Sequence, residues 1–372
     1  MLDRKLWRNV DAPILVGLVV LSAASIAIIS AASAASGQNG FHYPVLQAAW
    51  VLLGAVVILF ALSQDYLVYP SLTPYLYWVT LGVLVGVLVV GHSALGSERW
   101  ISIGPFQLQP SEFAKVVIIL TLADYLARHQ GKLNSLKDLV VPFVYVIVPV
   151  VLILKQPDLG TSLVFMAILF GMLLVAGAPI RYLVLIYGGG LALVVGAVYL
   201  HYRFGIPVPL HDYQLKRLVA FLNPNADPLG SGYNIIQSKI AVGSGGLLGT
   251  GALVRQLSFL PENRTDFIFA ALGEETGFLG SLGVLVIYLV LLWRATAIAS
   301  AAKDFYGTLL VVGAISMFAF QVLENAGMAM GLMPVAGVPL PFFSYGGSAF
   351  LADSIVIGIL LNVGMRRRKI LF

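Results

Sequence analysis

The chain has 372 residues, of which 59% are hydrophobic and only 10% charged, whereas soluble domains carry about 25% charged residues, so a soluble globule is excluded. Cysteine is absent, which rules out disulfides, thiolate nucleophiles and cysteine-bound zinc, and the five histidines show no metal-ligand spacing. The net charge of +5 comes from basic residues gathered at helix ends, a membrane pattern rather than a nucleic-acid surface.

Apolar runs recur along the chain, and a run of about 18 residues is long enough to cross a hydrocarbon core of ~30 Å. Ten crossings are predicted: 13–35, 44–63, 74–91, 111–127, 140–155, 161–178, 182–201, 267–293, 307–333 and 348–364. The expected fold is therefore an all-α polytopic membrane protein. One domain spans 1–372, with a long extracytoplasmic loop at about 202–266 carrying short amphipathic helices. The first run, Pro13–Ala35, follows Arg4, Lys5 and Arg8 and ends in the signal-peptidase-like AASAAS. Its length, and the lack of a soluble domain after it, argue against cleavage.

Ten crossings put both ends on one side. That side receives Arg4, Lys5, Arg8, Arg128, Lys132, Lys137, Arg181, Arg294, Lys303, Arg366, Arg367, Arg368 and Lys369. Basic loops stay inside, so both termini are expected in the cytoplasm. The outer loops at 97–112, 155–162 and 334–347 are rich in Pro and Gly that fix unusual backbone. Function is thereby biased to the outer face. Residues 202–266 carry Arg203, Lys216, Arg217, Lys239, Arg255 and Arg264, but long loops escape the charge rule. Within them Asp212–Leu222 and Tyr233–Val242 are predicted helices along the outer membrane surface, one of them dipping into the bilayer. The following GSGGLLGTG has no strand before it and is no dinucleotide fingerprint. No Walker A sequence is present; no nucleotide, haem or zinc site is expected.

Several ionisable residues fall inside predicted crossings, among them Glu112, Lys115, Asp124, Glu274, Glu275, Glu324 and Asp353. Each charge at a helix centre costs roughly 2.5–3.5 kcal/mol, and six such carboxylates facing lipid would consume a domain's whole stability of ~5–15 kcal/mol. They must face protein, a wet cavity or the interface; Asp124 lies near the inner end. Glu112 and Lys115 stand three positions apart on one helix face and can pair, either as a structural bridge or in a cavity.

Asp266 lies in a polar collar immediately before an apolar helix. Thr265 or Asp266 could cap that helix. The other reading makes Asp266 a general base or cation ligand facing outward. At a reference pKa of ~3.9 it is a weak base. Desolvation, a like charge or a divalent cation would have to assist it. The GxxxG pairs Gly82/Gly86, Gly273/Gly277 and Gly327/Gly331 predict close helix packing. Trp50, Tyr75, Trp78, Trp100 and Trp293 read as interfacial anchors. No internal repeat is evident, which disfavours repeat-built transporters.

RWISIGPFQLQPSEFAK (99–115), QPDLGTS (156–162), FLNPNADPLGSGYNIIQSKIAVGSGGLLGTG (221–251), FLPENRTDFIFAALGEETGFLG (259–280) and GLMPVAGVPLPFFSYGGS (331–348) together resemble the SEDS family of shape, elongation, division and sporulation proteins. GYNIIQSKIAVGSGG and the short termini are most similar to its elongation branch, with the division branch the near alternative. The resemblance implies a ten-helix peptidoglycan glycosyltransferase of the bacterial cytoplasmic membrane, working on lipid II at the outer leaflet. It places the family's essential aspartate at Asp266 and its Glu and Lys at Glu112 and Lys115. Lys115, Arg217, Lys239 and Arg264 are then candidates to neutralise the departing pyrophosphate, with Glu112 positioning Lys115. A divalent cation, Mg or Mn, bound at Asp266 could share that task. A class B penicillin-binding protein, packing near crossings eight and nine, and other cell-elongation machinery are the implied partners. Two departures stand out. Asn263-Arg264 replaces a residue followed by His, and Glu324 occupies a usually apolar position, suggesting an extra cavity or helix contact. A lipid II flippase and a scaffold for other wall enzymes are the competing readings.

Overall fold

The computed structural model describes residues 9–35, 41–90, 92–94, 97–103, 106–205, 207, 212–251 and 260–367. Ten long helices occupy the ten predicted crossings: α1 (Ala12–Ala35), α2 (His42–Ser63), α3 (Tyr69–Val90), α4 (Pro110–Arg128), α5 (Leu136–Lys155), α6 (Leu159–Val175), α7 (Ile180–Phe204), α10 (Ile268–Ser300), α11 (Phe305–Ala329) and α12 (Gly347–Met365). The short outer helices are α8 (Asp212–Leu222) and α9 (Tyr233–Ser244), where the amphipathic segments were expected.

Eight helices, rather than ten, are long and apolar enough by themselves to cross a membrane. The two that fall short are α4, which carries Glu112, Lys115, Asp124 and Arg128, and α6, which has only 17 residues. Both are interior helices. α4 and α6 pack on each other and on α11, so their polar groups meet protein rather than lipid. At the peripheral extreme, α7 packs on α6 and turns Leu185, Leu191, Leu193 and Val195 outward.

The central helices hold the core. Ile119, Met172, Leu309, Val356 and Leu361 are all fully or nearly fully buried. Tyr75, Trp78 and Trp293 face outward, as anchors should. The carboxylates that could not face lipid do not. Glu112, Glu274, Glu324 and Asp353 are each buried within the protein. Asp124 is bound by Arg128 at 2.8 Å and by the Thr73 hydroxyl. On the face opposite α8 and α9, Arg294 donates to Asp11 at 3.1 and 2.6 Å, tying the start of α1 to α10.

One element departs from the all-helix expectation. Three short strands form an antiparallel sheet, β1 (His92–Ala94), β2 (Ser97–Ile103) and β3 (Phe106–Leu108). Ile101 pairs with Leu108 and His92 with Trp100.

Only part of the expected glycine packing is helix on helix: Gly273 meets Val242 of α9, while the other glycines do not make such seams. A β-carbon on Gly82 or Gly86 would meet nothing within 4 Å. Gly327 receives Met333, and Gly331 receives the stem of Lys239. Gly277 has φ 67° and ψ −161° and breaks α10. Loop 243–251 enters the break. Phe278 N–H donates to Gly246 O at 2.9 Å, Leu279 N–H to Leu247 O at 3.1 Å, and Thr250 N–H to Glu274 O at 2.9 Å. Backbone groups freed by the break are thus satisfied by another backbone, as the membrane interior demands. The loop also draws α9 inward, where the Ser238 hydroxyl donates to Ala329 O of α11 at 2.7 Å.

Candidate active site

Residues 261–267 form a tight turn ahead of α10. Glu262 takes a left-handed φ of 54°, and its carbonyl accepts from the N–H groups of Thr265 and Phe267. Three outside groups pin the turn. Ser344 Oγ donates to Thr265 O at 2.7 Å, Tyr345 N–H to Arg264 O at 2.8 Å, and Asn325 Nδ2 to Asp266 O at 2.7 Å. Asn325, fully buried on α11, also donates to Val338 O at 2.8 Å. One amide therefore joins the Asp266 backbone to the 334–340 loop.

The capping role does not materialise. Phe267 occupies the N-cap of α10 with no side-chain cap bond, and Thr265 Oγ1 donates instead to Glu262 Oε2 at 2.9 Å. Among the described residues no hydrogen bond reaches the Asp266 carboxylate. It is half-buried, with part of its surface open. A β-carbon on Gly337 would stand 3.1 Å from Asp266 Oδ2 and 3.9 Å from Arg217 Nη1. The bare glycine thus lies between the carboxylate and the guanidinium. Arg217 Nη1, from α8, donates to Val335 O and Ala336 O at 3.1 and 3.3 Å.

Burial pushes the Asp266 carboxyl up to about 6, and the neighbouring negative charges of Glu262 and Asp158 push the same way. Arg217 and Arg99 oppose them. The group remains mostly ionised at neutral pH, yet takes a proton far more readily than an exposed aspartate. Asp158 caps α6, accepting from Thr161 N–H and hydroxyl at 3.1 and 2.9 Å and from Gln109 Nε2 at 3.1 Å. Arg99 Nη1 lies 3.9 Å from it, while Arg99 Nε donates to Gln156 O.

The structure distributes the other expected residues unevenly. Arg217 comes to Asp266. Glu112 and Lys115 pair at 2.7 Å, as their spacing predicted, and both are buried with Asp353 in electrostatic range. Lys239 is exposed on α9, over Gly331. The Arg264 guanidinium stacks over the Tyr43 ring at 4.2 Å. For a cation, no group of three or more His, Asp or Glu converges among the described residues. Asp266 would offer it one carboxylate, which does not make a protein-built site.

Sequence reasoning missed Arg99, Asp158, Glu262 and Gly337 as neighbours of Asp266, and Asn325 as its anchor. Arg99, Asp158, Glu262 and Gly337 lie in the motif blocks, and Asn325 lies on α11 outside them. The four neighbours sit on separate loops, and nothing in their spacing along the chain pairs them.

Comparison with known proteins identifies the family of the chain. The model of the family described as Cell cycle protein, FTSW_RODA_SPOVE, matches residues 4–369. The chain belongs to that family. Stage V sporulation protein E of Bacillus subtilis (strain 168) is 39% identical over 363 residues, 95% of this chain and 96% of its own. Peptidoglycan glycosyltransferase MrdB of Escherichia coli (strain K12) is 39% identical over 328 residues, 86% of this chain and 85% of its own. The family fold is shared with the crystal structure of Thermus thermophilus rod shape determining protein RodA, at a TM-score of 0.67 and 30% identity over 95% of this chain and 97% of that one. It is shared also with a chain from a peptidoglycan synthase complex described as coordinating polymerization and crosslinking. There the TM-score is 0.78 and the identity 32%, over 94% of this chain and 97% of that one.

Proposed function

We propose that this peptidoglycan glycosyltransferase polymerises lipid II on the outer face of the bacterial cytoplasmic membrane, with Asp266 as the base that activates the acceptor. The observation that carries the reading is the Asp266 carboxylate itself. It is part open, unengaged by side-chain hydrogen bonds among the described residues, pushed up to about 6, and set beside Arg217 across Gly337. The acceptor GlcNAc 4-hydroxyl gives its proton to Asp266 as its oxygen bonds to the donor's anomeric MurNAc carbon. The bond from that carbon to the pyrophosphate oxygen breaks on the opposite face. An α-linked donor and a β-1,4 product require this single inversion. Negative charge grows on the departing undecaprenyl pyrophosphate, where a preplaced guanidinium acts most strongly. Arg217 is positioned for that task. Lys239 and Arg264, further out, meet the phosphates or sugars of the bound lipids. Lys115, held by Glu112, acts as part of the buried scaffold. A divalent cation, Mg or Mn, would be held mainly by the substrate phosphates and water, with Asp266 as its one protein ligand, and the proposed steps do not pass through it.

Both termini lie in the cytoplasm on this reading, which the basic inner loops support. We assign the chain to cell elongation on the strength of its GYNIIQSKIAVGSGG block; an FtsW-like division role is the alternative. A class B penicillin-binding protein would crosslink the new strands, with other elongation proteins around it. Buried Glu112, Lys115 and Asp353 would also suit a lipid II flippase.

Purified protein given lipid II in detergent has no membrane to cross. Glycan strands formed there support the polymerase. Translocation of labelled lipid in vesicles with no polymer in either setting would replace it with transport.

A further inference from the structure

We propose that Glu324 is a positioning residue for the polymerisation reaction: it fixes the 335–337 loop that holds Arg217 beside Asp266. The inference rests on the reading of Asp266 and Arg217 given above. Glu324 lies on α11, next to Asn325, and is 2% exposed. Its Oε1 accepts from Ala336 N–H at 3.2 Å. The carbonyl of the same Ala336, with that of Val335, accepts from Arg217 Nη1. The next residue is Gly337, the spacer between Arg217 and Asp266.

The loop is thus gripped from several sides. Glu324 holds the Ala336 N–H and Asn325 holds the Val338 carbonyl. Gly160 at the start of α6 leaves room for the Ala336 carbonyl, which a β-carbon there would meet at 2.6 Å. Remove the Glu324 acceptor and the Ala336 N–H loses its partner, so the two carbonyls that aim Arg217 are free to shift. Displacements well under 1 Å in a charge-stabilising group act on the transition state more than on ground-state binding. The effect should therefore appear in kcat rather than KM. Glu324 Oε2 has no hydrogen-bond partner among the described residues and is buried. The acceptor oxygen Oε1 is the part that the proposed role uses, and glutamine retains it.

The test uses the purified full chain in detergent, with initial polymerisation rates measured against lipid II concentration. Glu324→Leu should lower kcat by about 10-fold or more with KM within about 2-fold, and Glu324→Gln should recover to within about 3-fold of wild type. In an Arg217→Ala background, Glu324→Leu should add almost no further loss, because both act through one group. Wild-type-like kcat in Glu324→Leu, an equally low Glu324→Gln, or losses that multiply with Arg217→Ala would each overturn the proposal. If the leucine protein does not fold, Glu324→Asp replaces it. Its carboxylate is one methylene too short to reach Ala336 N–H, so about a 10-fold fall in kcat is expected, and unchanged kcat overturns the idea. The two readings fail differently. An inactive Asp266→Asn beside a fully active Glu324→Leu defeats only the inference, whereas an active Asp266→Asn defeats the function from which it starts.

Discussion

Gly337 faces Asp266 so closely that one added β-carbon would stand 3.1 Å from Oδ2. Gly337 also holds φ at 77°, where side chains are strained. Gly337→Ala should therefore displace the carboxylate or the loop by a few tenths of an ångström. We expect about a 10–100-fold loss of kcat and a stability loss of about 1–3 kcal/mol. Turnover and thermal unfolding of the purified variant measure the two separately. A fully active Gly337→Ala would show that the spacing between Asp266 and Arg217 does not matter.

Polymerisation should rise with pH through about 6, where Asp266 becomes ionised. Part of that shift comes from the negative charge of Glu262, so Glu262→Gln should move the midpoint to lower pH. Because Glu262 is exposed, added salt should shrink the difference. A pH–rate profile at two ionic strengths tests both statements. A midpoint unmoved by the substitution would mean that burial and Asp158, not Glu262, set the shift.

The same shift has a stability consequence. The folded value of about 6 lies above the unfolded reference of ~3.9, so the protonated acid favours folding and ionisation opposes it. The contribution is complete below the unfolded value and is lost as pH rises through 6. Asp266→Asn stays neutral throughout. It should be more stable than wild type at pH 7.5, by about 1–2 kcal/mol at most since water still reaches the group, and equal to it near pH 4. Melting curves at the two pH values check this.

Buried Lys115 pairs with Glu112 and is in electrostatic range of Asp353. Lys115→Met leaves two buried carboxylates without their cation and should cost about 3–5 kcal/mol. Adding Glu112→Gln should restore part of that loss. A double variant no better than the single would mean that the pair contributes packing rather than charge.

Most of this architecture could be read from the chain. Apolar runs marked all ten helices, though only eight are long and apolar enough alone to cross a membrane, and the patterns of Asp212–Leu222 and Tyr233–Val242 marked the short pair. Asp266 stood out as a charge at the edge of an apolar helix. What escaped detection depended on contacts distant in sequence. Gly273 does pack on α9, but Gly277, which also read as a helix seam, is a break filled by loop 243–251, because a broken membrane helix needs backbone partners from elsewhere. Asp158 and Arg99 belong to separate loops, and only folding brings their charges to Asp266. Glu324 was visible as an odd charge. Its link to Ala336 N–H across a turn was not.

The break itself gives another prediction. A β-carbon on Gly277 would lie 2.3 Å from the Gly249 nitrogen, and φ there is 67°. Gly277→Ala should cost about 3 kcal/mol or more, and amide exchange across 243–251 should quicken. Unchanged exchange would separate the loop from the helix break.

The central claim is that the Asp266 carboxylate performs the chemistry. The most direct measurement is glycan-strand formation from lipid II by purified Asp266→Asn beside wild type, with each protein's melting curve confirming its fold. The account predicts a folded variant that makes no detectable polymer. Strands made at the wild-type rate would contradict it.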